Sequence, residues 1–338
     1  GRGGARLVGE SGAEGWVPTS VGRAARGRAG QGFVMSTPPL DRWTLGRTLT
    51  DLANASALEL AKRPLKDPSA QIARRIGITG APGAGKSTLL GHLALQRAPR
   101  GRIGILAVDP SSPKSGGAIL GDRVRMDELS GAGDLFIRSL GSRKTSDGLA
   151  DNLPEMLDTM DDFGFAEVFL ETVGVGQAEY AVRTQVDTLV LVLLPDSGDT
   201  VQAMKAGIME MADIFVVNKS DLPGAQRMAT DIKRVAAISR HSKDAWIPPI
   251  LLASASSPES IDGLSQSIAR HQAWLSTAPR RQQLRELRAR YRLKRLLEVR
   301  IAEVIANQTA PFLDASLQRQ MALILQIAKT TLEPTESD

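Results

Sequence analysis

Gly80-Ala81-Pro82-Gly83-Ala84-Gly85-Lys86-Ser87, followed by Thr88, is the stretch from which the rest of the chain can be read. It fits the phosphate-loop pattern G-x-x-x-x-G-K-[ST]. The preceding Arg75-Ile76-Gly77-Ile78-Thr79 reads as a short buried strand, and Leu89, Leu90, Leu93 and Leu95 follow at helical spacing. Strand, glycine turn and helix together turn a letter pattern into a physical expectation. Glycines let the backbone curl until successive N–H groups point at one phosphate, and the helix N-terminus adds the positive end of its dipole. Lys86 then reaches the β- and γ-phosphates, and Ser87 ligates Mg²⁺. The bland alternative, a glycine-rich turn with a chance GKS, leaves the strand and helix around it unexplained.

Working outward, 338 residues suffice for one large α/β domain with helical additions. A hydrophobic share of 42% and a charged share of 23% are ordinary for a globular chain. No apolar run approaches the ~20 residues of a membrane span. The absence of cysteine removes disulfides, thiolate metal sites and cysteine nucleophiles. With His only at positions 92, 241 and 271, a dedicated zinc or nickel site has little to be built from. The net charge of +5 comes largely from arginines in the N-terminal tail and near the C-terminus.

Residues 1–40 form a Gly/Arg/Ala-rich tail without helical or strand periodicity, expected to be disordered. It reads first as a cloning remnant or an over-extended start upstream of Met35, next as a transit peptide, and last as a functional basic arm. Residues 41–72 form a helical segment, with Leu45, Leu49, Leu52, Leu58 and Leu60 in one or two short helices. From 73 to 278 strands and helices alternate. Strands are expected at Arg102–Val108, Leu135–Leu140, Ala166–Leu170, Asp187–Leu194, Ile214–Val217 and Pro249–Ala253, and helices at about Gly148–Phe163 and Val201–Met211. Glycine-rich polar loops at the strand C-termini imply an α/β P-loop NTPase fold, a parallel sheet with helices on both faces. Residues 279–338 then form a C-terminal helical hairpin. Leu293, Leu297, Ile301 and Val304 make one stripe and Leu317, Met321, Ile324 and Ala328 another, for docking on the domain or on a second subunit.

Asn218-Lys219-Ser220-Asp221 is an N-K-x-D sequence ending a strand. A carboxylate at Asp221 accepts from guanine N1–H and its exocyclic amine, whereas adenine would leave it unpaired. Lys219 lays its stem along the base, and Asn218 braces the loops. Ser254-Ala255, after the next strand, fits a loop whose backbone N–H contacts guanine O6. The expected nucleotide is therefore GTP or GDP.

Glu171-Thr172-Val173-Gly174 stands where many GTPases carry D-x-x-G, although Glu replaces the usual Asp. Its carboxylate is a candidate to hold Mg²⁺ through water, and the Gly174 N–H to sense the γ-phosphate. Asp109 and Asp122 are the other acids near the expected phosphates, with loop solvation or helix capping as their bland reading. The catalytic candidates are thus Lys86, Asp109, Asp122 and Glu171, and the metal candidates Ser87, Asp109 and Glu171. Val175, not Gln, follows Gly174, so no water-orienting group is evident and slow, partner-modulated hydrolysis is expected. Arg123, Arg125, Arg138 and Arg143 are candidates for charge stabilisation.

Five blocks occur in order: Gly80–Thr88, Val108–Met126, Glu171–Glu179, Gly198–Asp213 and Asn218–Asp221. Together they resemble the MeaB/ArgK family of P-loop GTPases, whose mitochondrial member is the methylmalonic aciduria type A protein. The resemblance spans roughly residues 73–275. It implies a GTPase chaperone that assists an adenosylcobalamin-dependent acyl-CoA mutase, usually methylmalonyl-CoA mutase, in cofactor loading, protection or reactivation. It also implies a homodimer with the C-terminal helices as its arm, and a nucleotide-sensing switch bearing Asp199, Gln202 and Lys205. Location would be cytoplasmic, or the mitochondrial matrix if residues 1–34 are a transit peptide. The competing readings are a nickel-insertion maturation GTPase, which lacks its His/Cys cluster here, and a nucleic-acid-associated GTPase using the basic Arg280–Arg300 helix.

Overall fold

A computed structural model describes residues 39–64, 66, 72–110, 134–142, 149–150, 152–172, 177–195, 210–238, 245–254, 257–309, 312 and 314–330. Two helices, α1 (Arg42–Asn54) and α2 (Ala57–Ala61), come first. Asp41 caps α1 by accepting from the Thr44 N–H, and Ser56 with Glu59 forms a capping box on α2. The sheet then begins with β1 (Arg74–Thr79), α3 (Lys86–Arg97), β2 (Ile103–Pro110) and β3 (Leu135–Ser142). It continues through α4 (Leu153–Asp162), β4 (Glu167–Thr172), α5 (Gln177–Gln185), β5 (Thr188–Leu193) and β6 (Ile214–Val217). Next come α6 (Ala225–Ile238), β7 (Ile250–Leu252) and α7 (Pro258–Leu275), followed by the C-terminal α8 (Ala278–Ala306) and α9 (Leu317–Thr330).

The seven strands pair in parallel in the order β3-β2-β4-β1-β5-β6-β7. The central strands β1, β4, β5 and β6 are buried on both faces, because helices cover both sides. Alternate residues of one strand enter different cores: Ile103 and Ile105 face α3 and α7, whereas Leu106 and Val108 face α1 and α4. At the other end of the sheet, Leu191, Leu193, Phe215 and Val217 pack on Met228 and Ile232 of α6. Leu45 and Leu49 of α1 are fully buried in the α4 side, so the N-terminal helices belong to this core.

Two buried polar joints fix the frame. Arg97, at the end of α3 and wholly inaccessible, donates to Glu167 at 2.6 and 2.5 Å and to Ser265 of α7 at 3.0 and 2.9 Å. Asn152 donates to the Leu52 and Ala55 carbonyls at 2.8 and 2.9 Å, closing the C-terminus of α1.

Several expectations change. The helix expected from Gly148 starts at Leu153, because Asn152 sits at φ 59° and Pro154 occupies the first turn. β2 and β3 both run two residues beyond the expected ends, with Asp109 opposite Gly141. Arg138 donates to the Gly46 carbonyl and the Thr50 hydroxyl of α1, at 2.6 and 2.9 Å, and so staples β3 to α1 instead of stabilising charge at the loop. The two C-terminal stripes split. Ile301, Val304, Ile324, Ile327 and Ala328 pack between α8 and α9, while Leu293, Leu297, Leu317 and Met321 are exposed at 61, 42, 72 and 59%. The face of α8 that docks on the domain is basic: Arg288 pairs with Asp187 at 2.7 Å, Arg292 with Glu155 at 3.1 Å and with Asp158, and buried Arg295 approaches Asn152. The expected helix at Val201–Met211 falls mainly outside the described residues. Among the described residues no helix is long and apolar enough to cross a membrane.

Candidate functional site

The C-terminal ends of β4, β1, β5, β6 and β7 share one edge of the sheet, and the motif residues gather there. The loop leaves β1 with Gly80 at φ 145° and enters α3 through Gly85 at φ 82°. A side chain at Gly80 would meet the Val192 carbonyl oxygen at 2.0 Å, and one at Gly85 would meet Asn218 Nδ2 at 2.5 Å. Both the backbone angle and the space therefore demand glycine at these two positions. Pro82, Gly83 and Thr88 lie towards solvent, whereas Ala84 and Lys86 are buried. Lys86 Nζ donates to the Ala81 carbonyl at 2.9 Å across the loop. No side chain caps the first N–H groups of α3, which leaves them available to an anion.

Beside the loop, Ser87 Oγ donates to Glu171 Oε1 at 2.7 Å. Glu171 lies opposite Ile78 in the β1–β4 register and is 7% exposed. Asn218 is bound to the loop from the other side, since its Nδ2 donates to the Ala84 carbonyl at 2.7 Å. Lys219 follows with φ 54° and its stem approaches Gly85. Exposed Asp221 accepts from Ser254 Oγ at 3.2 Å, which joins the ends of β6 and β7. β4 and β6 are three strand spacings apart, ~14 Å. The Ser87–Glu171 pair and the Asp221–Ser254 pair therefore stand at opposite ends of one crevice.

Three buried side-chain oxygens at this edge, Thr79 Oγ1, Thr172 Oγ1 and Asn218 Oδ1, have no hydrogen-bond partner among the described residues. Buried polar atoms are rarely left so, and ligand or water at this end of the sheet would complete them. Thr79 and Thr172 were not singled out from sequence. The available signal is a hydroxyl ending an apolar strand, which is too common to notice alone. Hydroxyl and carboxylate oxygens 2.7 Å apart at Ser87 and Glu171 are hard donors of the kind Mg²⁺ takes, so the residues fit that ion.

The remaining candidates stand further from view. The Asp109 backbone lies in β2, next to β4, and its side chain is outside the described residues. Asp122, Gly174 and Ala255 are also outside them, as are Arg123, Arg125, Arg143, Asp199, Gln202 and Lys205.

The chain is similar to several known proteins. A crystal structure described as an LAO/AO transport system kinase superposes with a TM-score of 0.59 at 24% identity, covering 86% of this chain and 94% of that one. This likeness establishes the fold. A Pyrococcus horikoshii protein named as a GTPase is 38% identical over 266 residues, 77% of this chain and 80% of its own. The mouse methylmalonic aciduria type A homolog, mitochondrial, is 38% identical over 204 residues, 59% of this chain and 49% of its own length. The family model described as methylmalonyl Co-A mutase-associated GTPase MeaB matches residues 45–310. The chain belongs to the MeaB family of P-loop GTPases.

Proposed function

We propose that this GTPase binds Mg²⁺-GTP along the Gly80–Asp221 crevice and uses the difference between GTP and GDP to assist an adenosylcobalamin-dependent acyl-CoA mutase. The observation that carries the reading is that one loop is bound on both sides. Glu171 holds Ser87 at 2.7 Å and Asn218 holds the Ala84 carbonyl at 2.7 Å, so hydrogen bonds connect the phosphate loop to the base-reading segment. Ser87, Glu171 and Asp109 would hold Mg²⁺, and the ion would supply positive charge that offsets the phosphates.

Lys86 exchanges the Ala81 carbonyl for phosphate oxygens, and the uncapped α3 N–H groups add their donors. Gly174 senses the γ-phosphate. Asp221 reads guanine, with Lys219 along the base and Ala255 towards O6. Asp122 contributes a further acid near the phosphates. No Gln follows Gly174, so hydrolysis is slow until a partner orders the attacking water. Asp199, Gln202 and Lys205 pass the state of the γ-phosphate to that partner.

A mutase client is supported by the family description and by the mouse relative's name. A homodimer through α8 and α9 is supported by the exposed Leu293, Leu317, Met321 and Leu325, an apolar surface that a monomer would leave wet. Size-exclusion chromatography with light scattering tests both parts together. The chain alone should run at twice its 36.1 kDa and co-elute with methylmalonyl-CoA mutase in a nucleotide-dependent way. A monomer that ignores the mutase in every nucleotide state would overturn the reading.

A further inference from the structure

The opposite edge of the sheet, where the strands begin, holds a cavity that no part of the nucleotide reading uses. It lies between the start of β1, the last turns of α7 and the first turns of α8, with a volume of ≈ 570 Å³. Small-molecule sites span ~300–1,000 Å³. The five residue steps from Arg74 to Thr79 along β1 place it about 17 Å or more from the phosphate loop.

Its walls follow from two helical repeats. Arg281, Leu284, Arg285 and Arg288 stand at i, i+3, i+4 and i+7 on α8, and Ala269, Gln272 and Ala273 of α7, with its C-cap Ser276, stand at the same spacing. Small residues on α7 leave room, and basic ones on α8 line it. Arg74 adds a fourth guanidinium.

Asp187 is the carboxylate among the residues lining the cavity, and both its oxygens are engaged. Asp187 Oδ1 accepts from Arg288 and Oδ2 from the Arg75 N–H, each at 2.7 Å. Among the described residues Arg74 donates to the neutral Gln272 Oε1, at 3.4 Å, and pairs with no carboxylate. No carboxylate pairs with Arg281 among the described residues. Arg288 Nε and Gln272 Nε2 are buried donors without a partner among the described residues. Burial lowers the pKa of Arg288, and Asp187 beside it pulls the other way. Buried donors without a partner are costly, and an anion would answer both. Guanidinium forks match phosphate oxygens two at a time. Leu275 and Leu284 supply an apolar wall for a carbon body.

We propose that this cavity is a second ligand site, separate from the nucleotide crevice, which takes a small organic bisphosphate through Arg74, Arg281, Arg288 and Gln272. Calorimetry on the full chain saturated with Mg²⁺-GDP tests it, with adenosine 3′,5′-bisphosphate and fructose 1,6-bisphosphate as probes. Neither presents the linked diphosphate that a phosphate loop cradles, and only the first carries a flat apolar body.

Saturable binding of either probe is expected. It should weaken roughly tenfold or more in Arg74→Ala/Arg281→Ala, with GDP affinity held within about twofold. The charge-matched Arg290→Ala/Arg319→Ala pair, which is exposed and outside the cavity, should bind as the parent does. No saturable heat up to about 5 mM of either probe would overturn the proposal. So would equal weakening in both double variants, or loss of binding in Lys86→Ala with the arginines intact.

Discussion

Ser87 on α3 and Glu171 at the end of β4, 84 positions apart, share a hydrogen bond of 2.7 Å. The bond ties the residue after the loop lysine to the strand beside β1, three positions before Gly174 in the sequence. A metal bound there would therefore feel any displacement of the Glu171–Gly174 segment, and that segment would feel the metal.

Glu171→Gln keeps an acceptor for Ser87 and removes the charge. Mg²⁺ affinity in the GTP complex should fall about 10–100-fold, as for other groups that orient metal ligands. Metal-free GDP binding should stay close to that of the parent. Titrating Mg²⁺ against a fluorescent GTP analogue reads this directly, and unchanged Mg²⁺ affinity would remove Glu171 from the metal.

Arg97 is a positioning residue for the same helix. Its guanidinium, buried without access to water, joins α3 to Glu167 and Ser265. Arg97→Ala leaves Glu167 charged and buried, which should cost ~3–5 kcal/mol in denaturant unfolding. Arg97→Met with Glu167→Gln removes both charges and should recover a large part of that. If the single variant is no less stable than the double, the pair does not hold α3.

Docking of α8 should depend on acid. Burial works against ionisation of Asp158, but Arg292 and Arg75 overcome it and hold the pKa below the ordinary 3.8. The unfolded chain therefore takes up the proton more readily. The stabilisation is complete above pH ~4 and is lost as pH falls through the lower folded value. Glu155 behaves oppositely, because burial raises its pKa in spite of Arg292 and Arg295. Its ionisation costs stability as pH rises through its usual range. Asp158→Asn should flatten the acid limb of melting temperature against pH while leaving the Glu155 slope at higher pH. An unchanged acid limb would count against the Arg292–Asp158–Arg75 cluster.

The parallel sheet and the crevice were legible because their signals are local. β-branched runs mark buried strands, and Gly80 and Gly85 sit where only glycine fits. The N-K-x-D sequence ends β6 beside the loop because strand order places it there, and sequence order alone said only that it ends a strand. The outward turn of Leu293 and Leu297 was not legible. Those leucines and Arg288, Arg292 and Arg295 both recur at helical spacing on α8. Which face turns inward is decided by Glu155, Asp158 and Asp187, more than a hundred positions earlier. The start of α4 was misjudged for a similar reason. Asn152 leaves the helix at φ 59° to satisfy two carbonyls of the α1–α2 turn, a partner that local periodicity does not reveal.

The central claim is that guanine is read at Asp221, and competitive titration of a fluorescent GDP with ADP and XDP tests it most directly. GDP should bind at least about tenfold more tightly than ADP, ~1.4 kcal/mol, and Asp221→Asn should transfer the preference to XDP, whose C2 carbonyl replaces the amine that Asp221 accepts from. Equal affinity for GDP and ADP in the parent chain, or a variant that still prefers GDP, would contradict the account.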